Sequence, residues 1–165
     1  MKTHEIKKFR KEYKKYDKDC VFDGYKLAVL YDEKDDVKKY GGRWDDPNQH
    51  WWMPKNKLLD QVHDNGTLVR DWLNDNHMIM GQYGEIQESG KVEQKGHPKM
   101  YTLSNDRESH MVQVAWYEDH DAVRFDGIEH RTDTRWLPVD KARELWNKMV
   151  QGNYHRMHGT HPENV

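Results

Sequence analysis

Ile6, Phe9, Tyr13 and Tyr16 recur at spacings of three and four, so a helix over residues 1–19 would gather them into one stripe with lysines around it. Residues 25–31 read as a short strand between Asp23-Gly24 and Asp32. Asp32 is placed to cap a helix running to Tyr40, with Glu33, Asp35 and Asp36 in its first turn and Lys38 and Lys39 in its last. That is the charge order the helix dipole favours. Gly41 sits where a left-handed residue ends such a helix, and Gly42 extends the turn. Trp44 opens a second strand, Asp45-Asp46-Pro47-Asn48 supplies turn chemistry, and residues 50–53 return as the partner strand before Pro54. A strand-helix-hairpin unit of this kind buries one sheet face against its helix, which places Leu27, Val29, Val37, Trp44 and one of Trp51 and Trp52 inside.

Residues 55–76 carry two helical patterns broken at Asp64-Asn65-Gly66, with Leu58, Leu59 and Val62 on the first. Leu68, Val69, Trp72 and Leu73 follow on the second, after the capping candidate Thr67. Gly81, Gly84, Gly90, Gly96 and Pro98 mark a linker or an extended hairpin. Tyr101/Leu103, Val112/Val114/Trp116 and Val123/Phe125 then alternate with polar residues as half-buried strands of an antiparallel meander. Asp126-Gly127 turns it toward a fourth strand over residues 128–132, and Asp140 caps a helix with Ala142, Leu145, Trp146 and Met149 on one face, stopped at Gly152.

The reading is an α+β protein of two small lobes. It divides into a basic amphipathic helix (1–23), a strand-helix-hairpin module (24–54), a helical connector (55–80), a linker or extended hairpin (81–99), a meander plus helix (100–152) and a mobile histidine-containing tail (153–165).

Composition changes this picture in three ways. A chain of 165 residues can bury roughly two thirds of its unfolded surface, and although 35% hydrophobic and 34% charged residues lean toward disorder, 7 Trp, 9 Tyr and 3 Phe supply aromatic core material. Lys and Arg total 27 against 29 Asp and Glu, a net charge of -2, so any polyanion contact has to be local. The most basic stretch is residues 1–19, with eight basic side chains against four acidic. It suits either a docked helix with a solvated face or a polyanion-binding arm. The single cysteine, Cys20, excludes an internal disulfide and suits a reducing compartment, so a cytoplasmic location follows, that of the host cell if the gene is carried by a phage. No stretch reaches the 18 or so apolar residues of a membrane helix, and residues 1–18 lack the apolar run of a signal peptide.

Tyr31-x-Glu33-Lys34-Asp35-x-Val37-Lys38, Gly41-Gly42-Arg43-Trp44-Asp45 and Trp51-Trp52-Met53-Pro54 together resemble a small domain of unknown function. Its pattern is E-K-D-x-[AV]-K, G-[AG]-R-W-D and W-[YW]-[VM]-P, and it occurs beside primase, helicase and methyltransferase domains in plasmid and phage proteins. The resemblance covers residues 25–54. Gly42 stands where that family often has Ala, a departure that changes little on this reading. What the resemblance implies is company with DNA-processing machinery. The final third, with Trp136-Leu137-Pro138-Val139-Asp140 before its helix, is similar in look to small proteins of large tailed phages.

The binding candidates are Arg43, Trp44, Trp51 and Trp52 on the hairpin, Lys34, Lys38 and Lys39 on the adjoining helix, and Lys7, Lys8, Arg10, Lys11, Lys14 and Lys15 on the basic helix. Stacking on an exposed ring contributes about 1–3 kcal/mol per base, and a guanidinium beside it reaches phosphate. In the alternative arrangement Trp44 and one of Trp51 and Trp52 are core, Arg43 pairs with Asp45 or Asp35, and the displayed tryptophan packs on the second lobe. Asp32, Glu33, Asp35, Asp36, Asp45 and Asp46 repel phosphate over about 8–10 Å. His155-x-x-His158-x-x-His161 lacks a fourth ligand for a structural metal, so no metal and no cofactor is assigned. Gly81-Gln82-Tyr83-Gly84 lacks the lysine of a phosphate loop, and Asp119-His120-Asp121 reads as a hairpin tip, so no catalytic residue is assigned either. The expectation is a non-enzymatic phage or mobile-element accessory protein that binds nucleic acid or a nucleic-acid-processing complex. The competing expectation is an adaptor or inhibitor acting on a host or viral protein through exposed aromatics.

Overall fold

Both alternating patterns are realised as antiparallel sheets packed against helices, so the fold is α+β. The computed structural model describes residues 2–87, 98–105, 107 and 109–157. They belong to two units, residues 1–87 and 88–165, each taken by itself below.

In the first unit the elements in chain order are α1 (Thr3–Lys11), β1 (Gly24–Leu27), a single 3-10 turn (Tyr31–Glu33), α2 (Lys34–Lys39), β2 (Arg43–Asp45), β3 (His50–Pro54), α3 (Lys55–Leu59), α4 (Val69–Asp75) and β4 (Ile79–Tyr83). The sheet order is β2-β3-β1-β4. Register sets Tyr25 opposite Met53 and Gln82, and Leu27 opposite Trp51 and Ile79. Successive strand residues point to opposite faces, so these side chains share the face that meets Val37, Tyr40, Leu58, Trp72 and Leu73 in one buried cluster. Each fully buried side chain of the size of Leu27 or Met53 contributes about 1.5–3 kcal/mol.

Several boundaries differ from the sequence reading for identifiable reasons. Helix α1 ends at Lys11, and Tyr13 and Tyr16 lie beyond it. There the buried amide of Asn74 takes over the hydrogen bonding: its Oδ1 accepts from the Tyr13 hydroxyl (2.5 Å) and the Tyr16 N–H (2.9 Å), and its Nδ2 donates to the Tyr16 carbonyl (2.9 Å). The first strand stops at Leu27, and Leu30 rather than Asp32 precedes the helical turn. The Glu33 carboxylate holds this corner, accepting from the Leu30 N–H at 2.9 Å and from both terminal nitrogens of Arg10 at 2.5 and 2.9 Å. Residues 55–80 are more than a connector. Leu58, Val69, Trp72 and Leu73 are buried in the same core, and β4 adds a strand to β1 across the boundary expected between connector and linker. Residues 88–97 lie outside the described residues.

The second unit runs β5 (Lys99–Asn105), β6 (Met111–Tyr117), β7 (Ala122–Asp126), β8 (Thr134–Leu137), α5 (Val139–Gln151) and β9 (Tyr154–Arg156), in the sheet order β8-β7-β6-β5-β9. Leu103, Val112, Val114, Val123, Phe125 and Leu137 form the core with Ala142 of α5. The fourth meander strand is residues 134–137 and not 128–132, because Gly127 and Asp133 close a turn first: the Gly127 N–H donates to the Asp133 carbonyl at 2.9 Å. Asp140 does not cap α5. The carboxylate of Asp121, from the turn before β7, accepts the Val139 N–H at 3.1 Å. The chain after Gly152 is no free tail at its start, since Tyr154, His155 and Arg156 pair with Asn105, Ser104 and Leu103 on the open edge of β5. Residues 158–165, including His158 and His161, lie outside the described residues.

Gly41 has φ +100°, the left-handed conformation expected at the end of α2. Gly42 is constrained by space. A Cβ there would lie 2.2 Å from Val37 Cγ1 and 2.8 Å from the Val37 carbonyl oxygen, so Ala is not neutral in this chain even though the resembled pattern admits it. Gly42→Ala is expected to lower stability by about 1–3 kcal/mol in urea unfolding. The double variant Val37→Ala/Gly42→Ala should lose less than the sum of the two single changes; strict additivity would show that the Val37 methyl is not what Gly42 accommodates.

Candidate functional site

In the hairpin ladder Arg43 lies opposite Trp52 and Trp44 opposite Trp51. Alternation sends the two pairs to opposite faces of the sheet. Trp44 and Trp51 share the side of Tyr25 and Leu27, while Arg43 and Trp52 share the side of Lys26 and Tyr83. The four residues gathered by the sequence reading therefore divide into two surfaces.

On the inner side the expectation of a buried Trp44 is overturned: it is 44% exposed. Strand β2 is three residues long and sits at the sheet edge, paired to β3. Neither Trp51 nor Trp52 is fully inside; both are half-buried, and Tyr25 and Met53 occupy the centre instead. Trp51 packs at the margin of the core, with its ring 5.5 Å from that of Trp44 at 60°. Together with Thr3 and Ile6 of α1 and with Tyr31, the two indoles line an open cleft of about 180 Å³. Tyr31 is 79% exposed. Helix α2 sets two cations over these rings, Lys34 Nζ at 3.8 Å from the Tyr31 centroid and Lys38 Nζ at 5.8 Å from that of Trp51. Such contacts hold the ammonium groups above an aromatic surface.

On the outer side Trp52 stacks on Tyr83 with centroids 4.4 Å apart and planes at 21°, and the Arg43 guanidinium lies 5.7 Å from the Trp52 ring. Asp45 is occupied by other partners. Its Oδ2 accepts from the Tyr83 hydroxyl at 2.6 Å and from the Asn48 side-chain amide at 2.9 Å. The Tyr83 hydroxyl first, then Asn48, holds the Asp45 carboxyl below its ordinary value; burial, and then Asp45, pushes the Tyr83 hydroxyl up.

The remaining lysines and arginines separate by partner. Lys39 forms an ion pair with Asp64 and sits 5.4 Å from the Tyr40 ring, away from the cleft rings. Arg10 is structural, bound to Glu33 and donating to the Ala28 carbonyl at 2.8 Å. Lys7, Lys8, Lys11, Lys14 and Lys15 are exposed, the last two beyond the end of α1. Tyr31, Ile6 and Thr3 were missed as site residues, although the alternation Leu27, Val29, Tyr31 already put Tyr31 on the side of the core strand residues.

His110 is held at both ring nitrogens: its Nδ1 lies 2.5 Å from the Tyr154 hydroxyl and its Nε2 2.5 Å from the Gly127 carbonyl. Among the described residues no group of three or more His, Cys, Asp and Glu side chains is arranged to hold a metal ion, and no helix is long and apolar enough to cross a membrane.

Residues 25–64 match the family model of a domain of unknown function, DUF5710. The match runs past Pro54 through α3, so the family unit is larger than the hairpin module. Helices α1 and α4 and strand β4 lie outside it, yet they complete the sheet, the core and the cleft. No curated protein and no solved structure matches the chain.

The Asp45–Tyr83 contact gives a pH test. A carboxylate whose folded value is depressed contributes stability that is present above its unfolded value and lost as pH falls through the folded one. Tyr83→Phe removes the main cause of the depression. The parent chain should lose more stability than the variant as pH falls, so that in thermal unfolding from about pH 5 downward the variant starts less stable, shows the shallower acid limb and converges on the parent. Superimposable limbs would mean that Asp45 does not need the Tyr83 hydroxyl.

Proposed function

We propose that the first unit binds single-stranded nucleic acid along the cleft between α1 and the hairpin, and that the chain serves as a non-enzymatic accessory protein in a phage or mobile-element setting. The observation that carries this reading is the exposed pair Trp44 and Tyr31 beside the half-buried Trp51, with Lys34 held over the Tyr31 ring and Lys38 over that of Trp51. Aromatic faces accept unstacked bases of any identity, and ammonium groups beside them meet the phosphates. The exposed Lys7, Lys8 and Lys11 extend the positive charge along α1, which walls the cleft. The resemblance of the hairpin segment to a domain found beside primases and helicases supports the same assignment.

A second reading rests on a different surface. Leu59, Val62 and Leu68 are 60%, 54% and 46% exposed, and Val62 pairs with Leu68 across a turn. Adjacent exposed aliphatics suit a protein partner better than a polyanion, so they favour an adaptor or inhibitor role.

Fluorescence anisotropy with a labelled thymidine strand of about 12 nucleotides at about 50 mM salt separates the two. Trp44→Ala should weaken binding roughly 5- to 100-fold, the range of one lost stacking contact. Lys34→Ala/Lys38→Ala should flatten the salt dependence, and Trp52→Ala, on the other face, should leave affinity within about twofold. Absence of binding at low salt overturns the nucleic-acid reading. For the adaptor reading, a stoichiometric partner captured from nuclease-treated lysate should be lost on Leu68→Asp.

A further inference from the structure

The second unit holds a different pocket. Lys99 and Tyr101 of β5, Trp116 of β6, Arg143 and Trp146 of α5 and Arg156 of β9 surround about 320 Å³, with Glu118 as the one carboxylate among the described residues of the lining. Three rings form its walls. Tyr101 and Trp146 are 5.6 Å apart at 70°, and Trp116 and Trp146 are 6.1 Å apart at 67°. The Arg156 guanidinium lies 4.7 Å from the Tyr101 ring. The pocket exists because β9 returns along the free edge of β5, which brings Arg156 beside Tyr101. A second hollow of about 190 Å³ shares Lys99, Trp116 and Glu118 with it.

We infer that this pocket binds a nucleoside phosphate, with the base against Tyr101, Trp116 and Trp146 and the phosphate on Arg143, Arg156 and Lys99. Upright aromatic walls accept a planar ring by stacking or by edge contact. Three cations against one carboxylate leave the lining positive, and a guanidinium matches phosphate oxygens in pairs. The volume lies at the lower end of small-ligand sites, which suits a nucleotide. An acidic peptide would use the charges but leave three aromatic walls without a planar partner. The base and phosphate could belong to a free nucleotide or to the 5′ end of a strand. The site is independent of the cleft in the first unit, so either can fail without the other.

Isothermal titration calorimetry of the full chain with AMP, ATP, adenosine and inorganic phosphate tests the inference. Saturable binding of AMP or ATP is expected, with adenosine and phosphate each at least about tenfold weaker. A 5′-phosphorylated dinucleotide that binds more tightly than AMP would assign the ligand to a strand end, and weaker binding would assign it to free nucleotide. Arg143→Ala/Arg156→Ala should lower affinity by at least about tenfold; Lys99→Glu, a change at an exposed position, should also weaken it and guards against misfolding of the first variant. Arg131→Ala, at an exposed cation of the same unit outside the pocket lining, should leave it unchanged. No binding of AMP or ATP at millimolar concentration, equal binding of adenosine, or indifference to both sets of charge variants overturns the inference.

Discussion

Strand β1 is four residues long and is hydrogen-bonded along both edges, to β3 on one side and β4 on the other. Its register is therefore set twice. Once Tyr25 and Leu27 are turned toward the helices, every partner is assigned a face: Met53, Trp51, Gln82 and Ile79 inward, Trp52 and Tyr83 outward. A one-residue slip would put Lys26 into the core and lift Tyr25 out of it. The inner cleft and the outer Trp52–Tyr83–Asp45 surface both descend from that pairing.

Helix α1 depends on polar contacts as much as on apolar ones. Ile6 is buried, but the segment is also held by Arg10 on Glu33 and the Ala28 carbonyl, and by Asn74 on Tyr13 and Tyr16. Pairing of a half-buried guanidinium with a carboxylate contributes more than an exposed ion pair does, because solvent screens it less. These contacts position Thr3 and Ile6 as one wall of the cleft. With β2 at the sheet edge, Trp44 is left on the opposite wall with much of its ring in solvent. The largest exposed aromatic surfaces of the unit thus lie beside the two lysines of α2 that point over rings.

The second unit closes differently. Its meander brings Asp121 under the start of α5, and the helix then returns the chain to the sheet as β9. Tyr154 joins His110 there, and Arg156 arrives next to Tyr101. No local pattern around residue 154 signals a strand, because three residues of edge pairing are stabilised by the neighbour they meet and not by their own alternation.

The sequence by itself determined the α+β class, the helix stop at Gly41, the hairpin of Trp44 and Trp51, the meander and the helix ending at Gly152. In each case the governing physics is local, in periodicity, turn chemistry and capping residues a few positions apart. It also contained the segment that matches the domain of unknown function. Only the tertiary structure decided that residues 55–83 complete the first sheet and core, that Trp44 stays exposed, and that Lys39 and Arg10 are taken by Asp64 and Glu33. Those outcomes turn on which strand lies at an edge and which side chain from a distant segment arrives first, and neither is written in the spacing of residues along the chain.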